Sequence, residues 1–280
     1  MVTKKSVFKV IKTVITYFLL VVLALIFTMP FIWLVSTAFK SNTQNVYSFP
    51  PTFLPKPPVL DNFMEAWKSV PFGRYLFNSF ALIVILVPAH LFLTALTAYP
   101  FARMRFPGRN ILFAFILGTM FMPTEAMLVP MFLTAKEFHL ANNWGGIIFF
   151  SLVGGFPIFL MRQAYLGVPK EIEEAATIDG CGFFRTWWSI VLPMVKPTVA
   201  ALSIISFVNV WNSFMWPLII LNDDKLYPLS LGLAYLSGAF GFDVRIMAAG
   251  TTLSLIPIIV FYLLMQKHFV SGLSQGAVKG

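Results

Sequence analysis

Long stretches without charged residues dominate this sequence. Five stretches of at least 21 residues contain no Asp, Glu, Lys or Arg, and a sixth of 26 residues contains one acid, Glu125. A helix needs about 20 mostly apolar residues to cross the roughly 30 Å hydrocarbon core of a bilayer. We therefore expect an all-α polytopic membrane protein whose residues 1–280 form one transmembrane domain. The six predicted spans are 13–39, 75–102, 110–135, 140–161, 197–222 and 246–266.

The segment 226–242 is also uncharged but has only 17 residues, with Pro228 and three glycines inside it. It is too short to span a bilayer as a helix, and these residues interrupt regular structure. We expect a folded loop outside the membrane, with a re-entrant segment as the alternative. Several predicted spans contain proline, which bends a membrane helix without excluding it.

Composition and charge agree with a membrane chain. Hydrophobic residues make up 58% and charged residues 11%, against about 45–50% and about 25% in soluble domains. This excludes a soluble or disordered protein. The net charge is +9, which we attribute to basic loops rather than to a nucleic-acid partner. With both termini in the cytoplasm, 13 of the 20 basic residues lie on the cytoplasmic side, as the positive-inside rule requires.

The segment 162–196, between the fourth and fifth spans, has the strongest local signals. Pro169 and three following glutamates favour a helix start, and Gly180 fits a left-handed position after its end. A second short helix is predicted at about 182–189. Residues 169–180 carry four acids and one base, so anionic lipid would repel this hairpin. Docking to a cytosolic partner is favoured over a lipid-surface role, and a passive capping loop is the remaining alternative.

The same segment resembles the coupling-loop signature of the permease subunits of ABC importers, EAA-x3-G-x9-I-x-LP. The fixed positions are matched at their spacing by Glu174, Ala175, Ala176, Gly180, Ile190, Leu192 and Pro193. Further similarity to the maltose-type carbohydrate permeases extends over most of the chain, including NFMEAW at 62–67 and FVNVWNSFMWPLI at 207–219. The sequence departs from that family at Cys181 and Gly182, and at Glu125 inside the third span.

The resemblance implies a multi-pass subunit with a type I ABC importer fold in a bacterial or archaeal cytoplasmic membrane. Its implied partners are a second homologous permease, two ATP-binding subunits, an extracytoplasmic sugar-binding protein and membrane lipid. Glu174, Ala175, Ala176 and Gly180 would contact the ATPase, while Ile190, Leu192 and Pro193 would attach the hairpin to the fifth span. The implied function is to form a pathway for a carbohydrate, with an oligosaccharide the expected cargo.

The chain itself is not expected to be an enzyme or to bind a cofactor. It contains no Gly-Lys pair, so a phosphate-cradling G-x-x-x-x-G-K-[ST] loop is absent and a partner must hydrolyse ATP with its magnesium. The G-x-S-x-G at 272–276 has no histidine after it, which such hydrolases require. With three histidines and one cysteine, we expect no metal site.

Polar and aromatic residues in the fifth span are candidates for the translocation pathway. Asn209 and Asn212 flank Trp211, and Trp216 follows. Amides can hydrogen-bond sugar hydroxyls, and aromatic faces can pack on a sugar ring. Alternatively, the tryptophans are interfacial anchors and the asparagines bridge helices. Glu125 would contact substrate or a partner chain, or would be solvated near the outer interface.

A different class of function remains open. Half of an ion-coupled secondary transporter would also have six spans, but it usually needs titratable groups at mid-membrane. Only Glu125 and His90 qualify. We expect His90 to be a hydrogen-bonded residue between helices rather than a proton carrier.

Overall fold

The computed structural model of the chain describes residues 4–239 and 243–277, with side chains described for 11–236 and 243–266. No β-strand occurs in these ranges; the only pairing of extended backbone is an isolated bridge between Lys40 and Pro58. The α-helices are α1 (Lys4–Ala38), α2 (Asp61–Ser69), α3 (Phe72–Arg103), α4 (Arg109–Thr119), α5 (Thr124–Glu137), α6 (Trp144–Ser151), α7 (Gly155–Leu166), α8 (Lys170–Ile178), α9 (Phe183–Thr186), α10 (Leu192–Met194), α11 (Lys196–Trp211), α12 (Met215–Ile220), α13 (Leu229–Ala239) and α14 (Val244–Ala277). A π-helical turn (Trp187–Val191) precedes α10, and a 3-10 turn (Asp224–Leu226) precedes α13.

Three described helices are long and apolar enough to cross a membrane without a break: Ile11–Ala38, Phe72–Arg103 and Val244–Gln266. Three bent pairs meet the same criteria when each pair counts as one span, which gives up to six. These pairs are α4 with α5, α6 with α7, and Phe183–Met194 with α11, bent by 105°, 42° and 79°.

The bends lie where the backbone cannot continue a helix. Pro123 stands before α5 with an extended ψ of 128°, and Gly154 is extended before α7. A Cβ on Gly155 would lie 2.7 Å from the carbonyl oxygen of Ile116, so glycine is needed where α7 approaches α4. Pro197, at the start of α11, has no amide hydrogen. The backbone hydrogen bond that would continue the preceding helix past Val195 therefore cannot form at this residue. The segments predicted as the third and fourth spans therefore each contain two helices. The predicted fifth span, 197–222, contains α11 and α12, and Phe183–Met194 precedes it.

The described chain divides into two compact units, residues 1–70 with 235–255 and residues 71–234 with 256–280. In the first, the Asn62 amide donates to the carbonyl oxygens of Ala38 and Lys40, both at 2.8 Å, which ties α2 to the end of α1. The Lys40 side chain is buried with its ammonium 5.9 Å from the centroid of the Trp33 ring. This burial lowers the pKa of Lys40.

The second unit is organised around α3, which packs along α7 and α11. One hydrophobic core in it contains twelve buried residues: Ala95, Ala98, Tyr99, Ala102, Ile158, Met161, Tyr165, Val168, Trp187, Val191, Val195 and Leu202. This core draws on both α3 and the residues that follow α7. It therefore joins the membrane helices to the segment containing the predicted signature.

The segment after α12 is held by side chains from distant helices. Asn78 on α3 donates to the carbonyl oxygens of Lys225 and Tyr227, and Trp144 donates to that of Leu226. The backbone N–H of Leu229 donates to the Ser79 hydroxyl. The predicted loop 226–242 contains helix α13, and its residues 240–242 lie outside the described residues.

Candidate functional site

The signature segment folds as a hairpin, defined here as Lys170–Met194. Helix α8 begins after Pro169 and has Glu171 and Glu173 in its first turn, where they favour the positive end of the helix dipole. Gly180 has φ +77°, which confirms its predicted left-handed conformation. The N–H of Gly180 donates to Thr177 O and that of Cys181 to Ala176 O, at 3.0 and 2.9 Å. These two bonds form a Schellman motif and end the helix.

The second arm differs from the predicted helix 182–189. Helix α9 covers only Phe183–Thr186, and Trp187–Val191 forms a π-helical turn. Trp187 is 1% exposed, while its neighbour Trp188 is half exposed. The turn therefore places one tryptophan in the core and the other at the surface.

Three side chains fasten the hairpin to the end of α3, and we call Tyr99, Arg103 and Glu173 the anchor cluster. Arg103 Nε lies 2.6 Å from Glu173 Oε1, and the Tyr99 hydroxyl donates to Glu173 Oε2 at 3.0 Å. Arg103 Nη2 also donates to the carbonyl oxygen of Val168 at 2.5 Å. The Arg103 side chain is 6% exposed and that of Glu173 is 19% exposed. The pair is thus largely shielded from water, which strengthens its attraction.

A buried hydrogen-bond chain fastens the second arm to the same helix. Trp187 Nε1 donates to the Tyr165 hydroxyl at 3.0 Å, and that hydroxyl donates to the carbonyl oxygen of Ala95 at 3.2 Å. Both side chains are fully buried. Since buried polar groups cost free energy unless paired, this chain holds the π-helical turn at a defined place on α3.

The outer side of the hairpin is free of such contacts. Glu174, Ala175 and Gly180 are exposed. Ile178, one helical turn after Glu174, is 86% exposed. Phe183 and Phe184 are both more than half exposed, although their rings also lie 5.2 and 5.3 Å from those of Tyr99 and Trp187. Sequence reasoning missed Ile178, although an isoleucine among polar residues next to a helix-ending glycine was the available signal.

The other signature residues face inward. Ala176 is 4% exposed, so its methyl group packs within this unit and is not available to a partner in this conformation. Ile190 and Pro193 are partly buried, and Leu192 packs against the hydrophobic core of the second unit that contains Trp187. The predicted set is therefore brought together on one hairpin but divided between an outer and an inner side.

A cavity of about 320 Å³ lies between α3, α6, α7, α11 and α12. Asn209 lines it, together with His90 and Ser206, whose Nδ1 and Oγ atoms are 2.7 Å apart. The hydrogen bond expected for His90 is confirmed. His90 and Ser206 were absent from the predicted pathway residues, although Ser206 stands three residues before Asn209, on the same side of a helix.

The tryptophans predicted for the pathway do not line this cavity. Trp211 is 4% exposed, with its ring stacked at 6.0 Å from Phe207 and edge-on at 5.4 Å from Phe80. Trp216 is 8% exposed and donates to the carbonyl oxygen of Gly146 at 3.2 Å. Both are packing residues of the second unit here.

The remaining two predicted residues are at the surface. Asn212 follows the last residue of α11 and is exposed, outside the cavity lining. Glu125 is exposed in the first turn of α5. No cluster of three or more His, Cys, Asp or Glu that could hold a metal ion occurs among the described residues.

The chain is a helical membrane protein with a hairpin that is anchored on one side and exposed on the other. The chain belongs to the family described as the binding-protein-dependent transport system inner membrane component, whose model matches residues 90–275. It is a multi-pass permease subunit of an ABC importer and a transport component rather than an enzyme. This family favours ATP-driven transport over the ion-coupled alternative.

Curated relatives agree on the family but differ in cargo. The chain is 31% identical to the arabinooligosaccharides transport system permease protein AraQ of Halalkalibacterium halodurans, over 92% of this chain and 93% of that protein. It is 33% identical to the sn-glycerol-3-phosphate transport system permease protein UgpE of Yersinia enterocolitica, over 81% and 84%. The family assignment is therefore common to relatives that transport chemically different solutes.

Among solved structures, the chain is similar to one from a bacterial ABC transporter that imports the acidic polysaccharide alginate. The TM-score is 0.81 at 24% identity, with 96% of this chain and 99% of that chain covered. This confirms the predicted fold class, an all-α polytopic membrane protein with the architecture of an ABC importer permease.

Proposed function

We propose that this chain forms part of the translocation pathway of a carbohydrate importer and that the outer side of the hairpin binds the ATPase. The observation that carries the proposal is the division of the hairpin into two sides. The anchor cluster and Trp187 hold the inner side to α3, whereas Glu174, Ala175 and Ile178 are exposed. A force on the outer side would therefore reach a membrane helix.

Exposed apolar side chains beside a carboxylate suit a protein partner. Ile178, Phe183 and Phe184 would enter an apolar groove, and Glu174 would meet a basic group at its rim. An amphipathic helix in a groove is a common mode of protein recognition. The proposed partners are a second permease, an extracytoplasmic binding protein and two ATP-binding subunits. The ATP-binding subunits would bind ATP and magnesium.

The proposed orientation has both termini and the hairpin in the cytoplasm. The distribution of basic residues supports it, because 13 of 20 lie on that side. Residues 1–280 are proposed to act as one permease domain. The proposed cargo is a carbohydrate, with an oligosaccharide favoured by the similarity to AraQ. The similarity to UgpE makes sn-glycerol 3-phosphate the second candidate.

Cysteine crosslinking tests the docking side. Cys181 is the only cysteine, so Ala175→Cys in a Cys181→Ala background gives a single reactive site. In the complete complex, we expect Ala175→Cys to crosslink to the ATPase and to react with membrane-impermeant maleimide only from the cytoplasmic side. Asp224→Cys, also exposed, should react only from the opposite side. Crosslinks to lipid alone, or labelling of Ala175→Cys from outside, would refute the proposal.

Charge variants of Glu174 test the proposed contact between the hairpin and the ATPase. Glu174→Lys reverses the charge at the proposed rim, and Glu174→Gln removes it at nearly constant shape. We expect the lysine variant to lower uptake about tenfold or more and the glutamine variant to lower it less, since like charges at an interface repel. Normal uptake by the lysine variant at equal membrane abundance would contradict the assigned role.

A further inference from the structure

The described lining of the cavity beside α11 has polar groups but no formally charged side chain. Among the described residues that line it, none is Lys, Arg, Asp or Glu. Its polar members are His90, Ser151, Ser206, Asn209 and Ser213. The rest of the wall is mainly apolar and includes Leu82, Leu86 and Ile147.

Three of these polar residues follow one face of α11. Ser206 and Asn209 are separated by three residues on α11, and Ser213 lies four further on, just past the helix end. A spacing of three and then four residues keeps side chains on one side of a helix. His90 on α3 joins this row through its 2.7 Å hydrogen bond to Ser206.

Part of this hydrogen-bonding capacity is unused. The Asn209 side chain is exposed to the cavity and makes no hydrogen bond to the described part of the chain. Ser206 engages Nδ1 of His90, and Nε2 has no partner there either. The amide of Asn209 supplies two hydrogen-bond donors and an acceptor, and the imidazole nitrogen of His90 supplies one more donor or acceptor. These atoms match the alternating donors and acceptors of neighbouring hydroxyl groups.

We propose that His90, Ser206 and Asn209 form a hydroxyl-binding subsite on this chain for one ring of a neutral sugar. The volume of about 320 Å³ is at the lower end of the roughly 300–1,000 Å³ of small-molecule sites, which suits a single ring. An anion would lose its hydration without meeting a positive group, which is unfavourable in an apolar cavity. A phosphorylated polyol or a uronate is thereby disfavoured. The inference rests on the proposed carbohydrate-import function.

Uptake by the reconstituted complete complex tests the subsite. The probes are radiolabelled maltotriose, raffinose and arabinotriose as neutral sugars, with sn-glycerol 3-phosphate and a uronic acid trisaccharide as anions. Asn209→Leu removes hydrogen-bonding groups from an exposed position, so folding should be unaffected. We expect it to lower uptake of the transported neutral sugar about fivefold, as loss of one or two hydrogen bonds implies.

Ser203→Ala is the matched control. Ser203 is on the same helix outside the cavity lining, and its hydroxyl bonds to the carbonyl oxygen of Ala200. It should leave uptake unchanged. If the wild-type complex transports a neutral sugar and Asn209→Leu transports it equally well, the subsite is refuted while the import function stands. If the wild type transports the uronic acid trisaccharide and no neutral sugar, the neutral-sugar subsite is refuted while carbohydrate import stands. If it transports only sn-glycerol 3-phosphate, the carbohydrate function itself fails.

Thiol protection supplies a binding readout that does not depend on transport. Asn209→Cys and Ser203→Cys would each be made in the Cys181→Ala background and treated with a small neutral maleimide. We expect the transported sugar to slow labelling at position 209 about threefold or more, as occupancy of the cavity would exclude the reagent. Labelling at position 203 should be unaffected. Equal rates at position 209 with and without sugar would overturn the assignment.

Discussion

Two groups of polar residues, each including a residue of helix α3, differ in charge. The anchor cluster at the end of α3 contains a shielded ion pair, Arg103 with Glu173. Thirteen residues earlier, His90 bonds a neutral serine beside a cavity whose described lining has no formal charge. At a rise of 1.5 Å per residue, the two groups are about 20 Å apart.

The difference indicates a division of tasks. A shielded ion pair is costly to separate, because either partner alone is left buried and charged. Such a pair suits two elements that must stay together, here α3 and the hairpin. Neutral hydrogen-bonding groups are exchanged more easily with a passing ligand. The cavity therefore suits binding that must be reversible.

Removing one charge from the anchor cluster should have the largest effect. Glu173→Leu leaves the Arg103 guanidinium buried without its carboxylate, which should lower the free energy of unfolding by about 3–5 kcal/mol. We expect a strong loss of thermal stability in the purified complex and loss of uptake.

Glu171→Leu is the matched control, because Glu171 is exposed on the same helix. Its loss should cost about 0.3–1 kcal/mol through the helix dipole. If both variants unfold at the same temperature, the ion pair does not hold the hairpin.

Replacing both charged residues tests whether the anchor cluster does more than hold the hairpin to α3. Arg103→Met combined with Glu173→Leu leaves no unpaired charge, and apolar replacements of a buried pair are often neutral. We expect the double variant to recover most of the stability lost by Glu173→Leu, measured by thermal unfolding. Recovered stability without recovered uptake would show that the charges also take part in the transport cycle.

A backbone change at the hairpin turn should have an intermediate effect. Gly180 has φ +77° and Gly182 has φ −70°, and a Cβ added at either would meet no atom within 4 Å. Gly180→Val should therefore cost about 1–2 kcal/mol from backbone strain alone, whereas Gly182→Val should cost little. Uptake and thermal stability would be measured for both. Equal behaviour would mean that the left-handed conformation is not required for coupling.

Conservative changes of the packed tryptophans should have the smallest effect. Trp211→Phe keeps a ring against Phe207, and Trp216→Phe loses one hydrogen bond, to Gly146, worth about 1 kcal/mol. We expect uptake to stay within about twofold of wild type. A larger fall in uptake with unchanged stability would indicate that these tryptophans do belong to the pathway. It would also weaken the contrast between the anchor cluster and the cavity.

The hairpin was the easiest region to predict, because its signals are local. Pro169, the glutamates and Gly180 act within one or two turns, and α8 lies at Lys170–Ile178, close to the predicted 169–180. The π-helical turn at Trp187–Val191 was missed. Its position depends on Trp187 reaching Tyr165, which lies 22 residues away in the sequence.

The cavity was harder, because its lining depends on contacts between distant segments. Residue type alone suggested Trp211, whose burial is decided by Phe80 more than 130 positions earlier. Asn209 was predicted as a pathway residue from its polarity, and it lines the cavity. The row formed with Ser206 and Ser213 was visible as helical spacing. The sequence does not show that His90 completes this row, because that depends on how α3 packs against α11.

The six apolar stretches predicted six crossings, which is the upper count that the helices allow, but they did not predict the shape of each crossing. Hydropathy reports length and not continuity, so the 105° bend between α4 and α5 was not predictable from it. Pro123 and Gly155 were visible in the sequence, but the close approach of α7 to α4 at Gly155 was not.

Helix α3 contributes His90 to the proposed sugar subsite and Arg103 to the anchor cluster, so one continuous helix connects the two sites. If occupancy of the cavity strengthens ATPase binding at the hairpin, thermodynamic reciprocity requires ATPase binding to tighten the cavity by the same factor. The apparent affinity for sugar would then depend on the nucleotide state of a subunit that never touches the sugar.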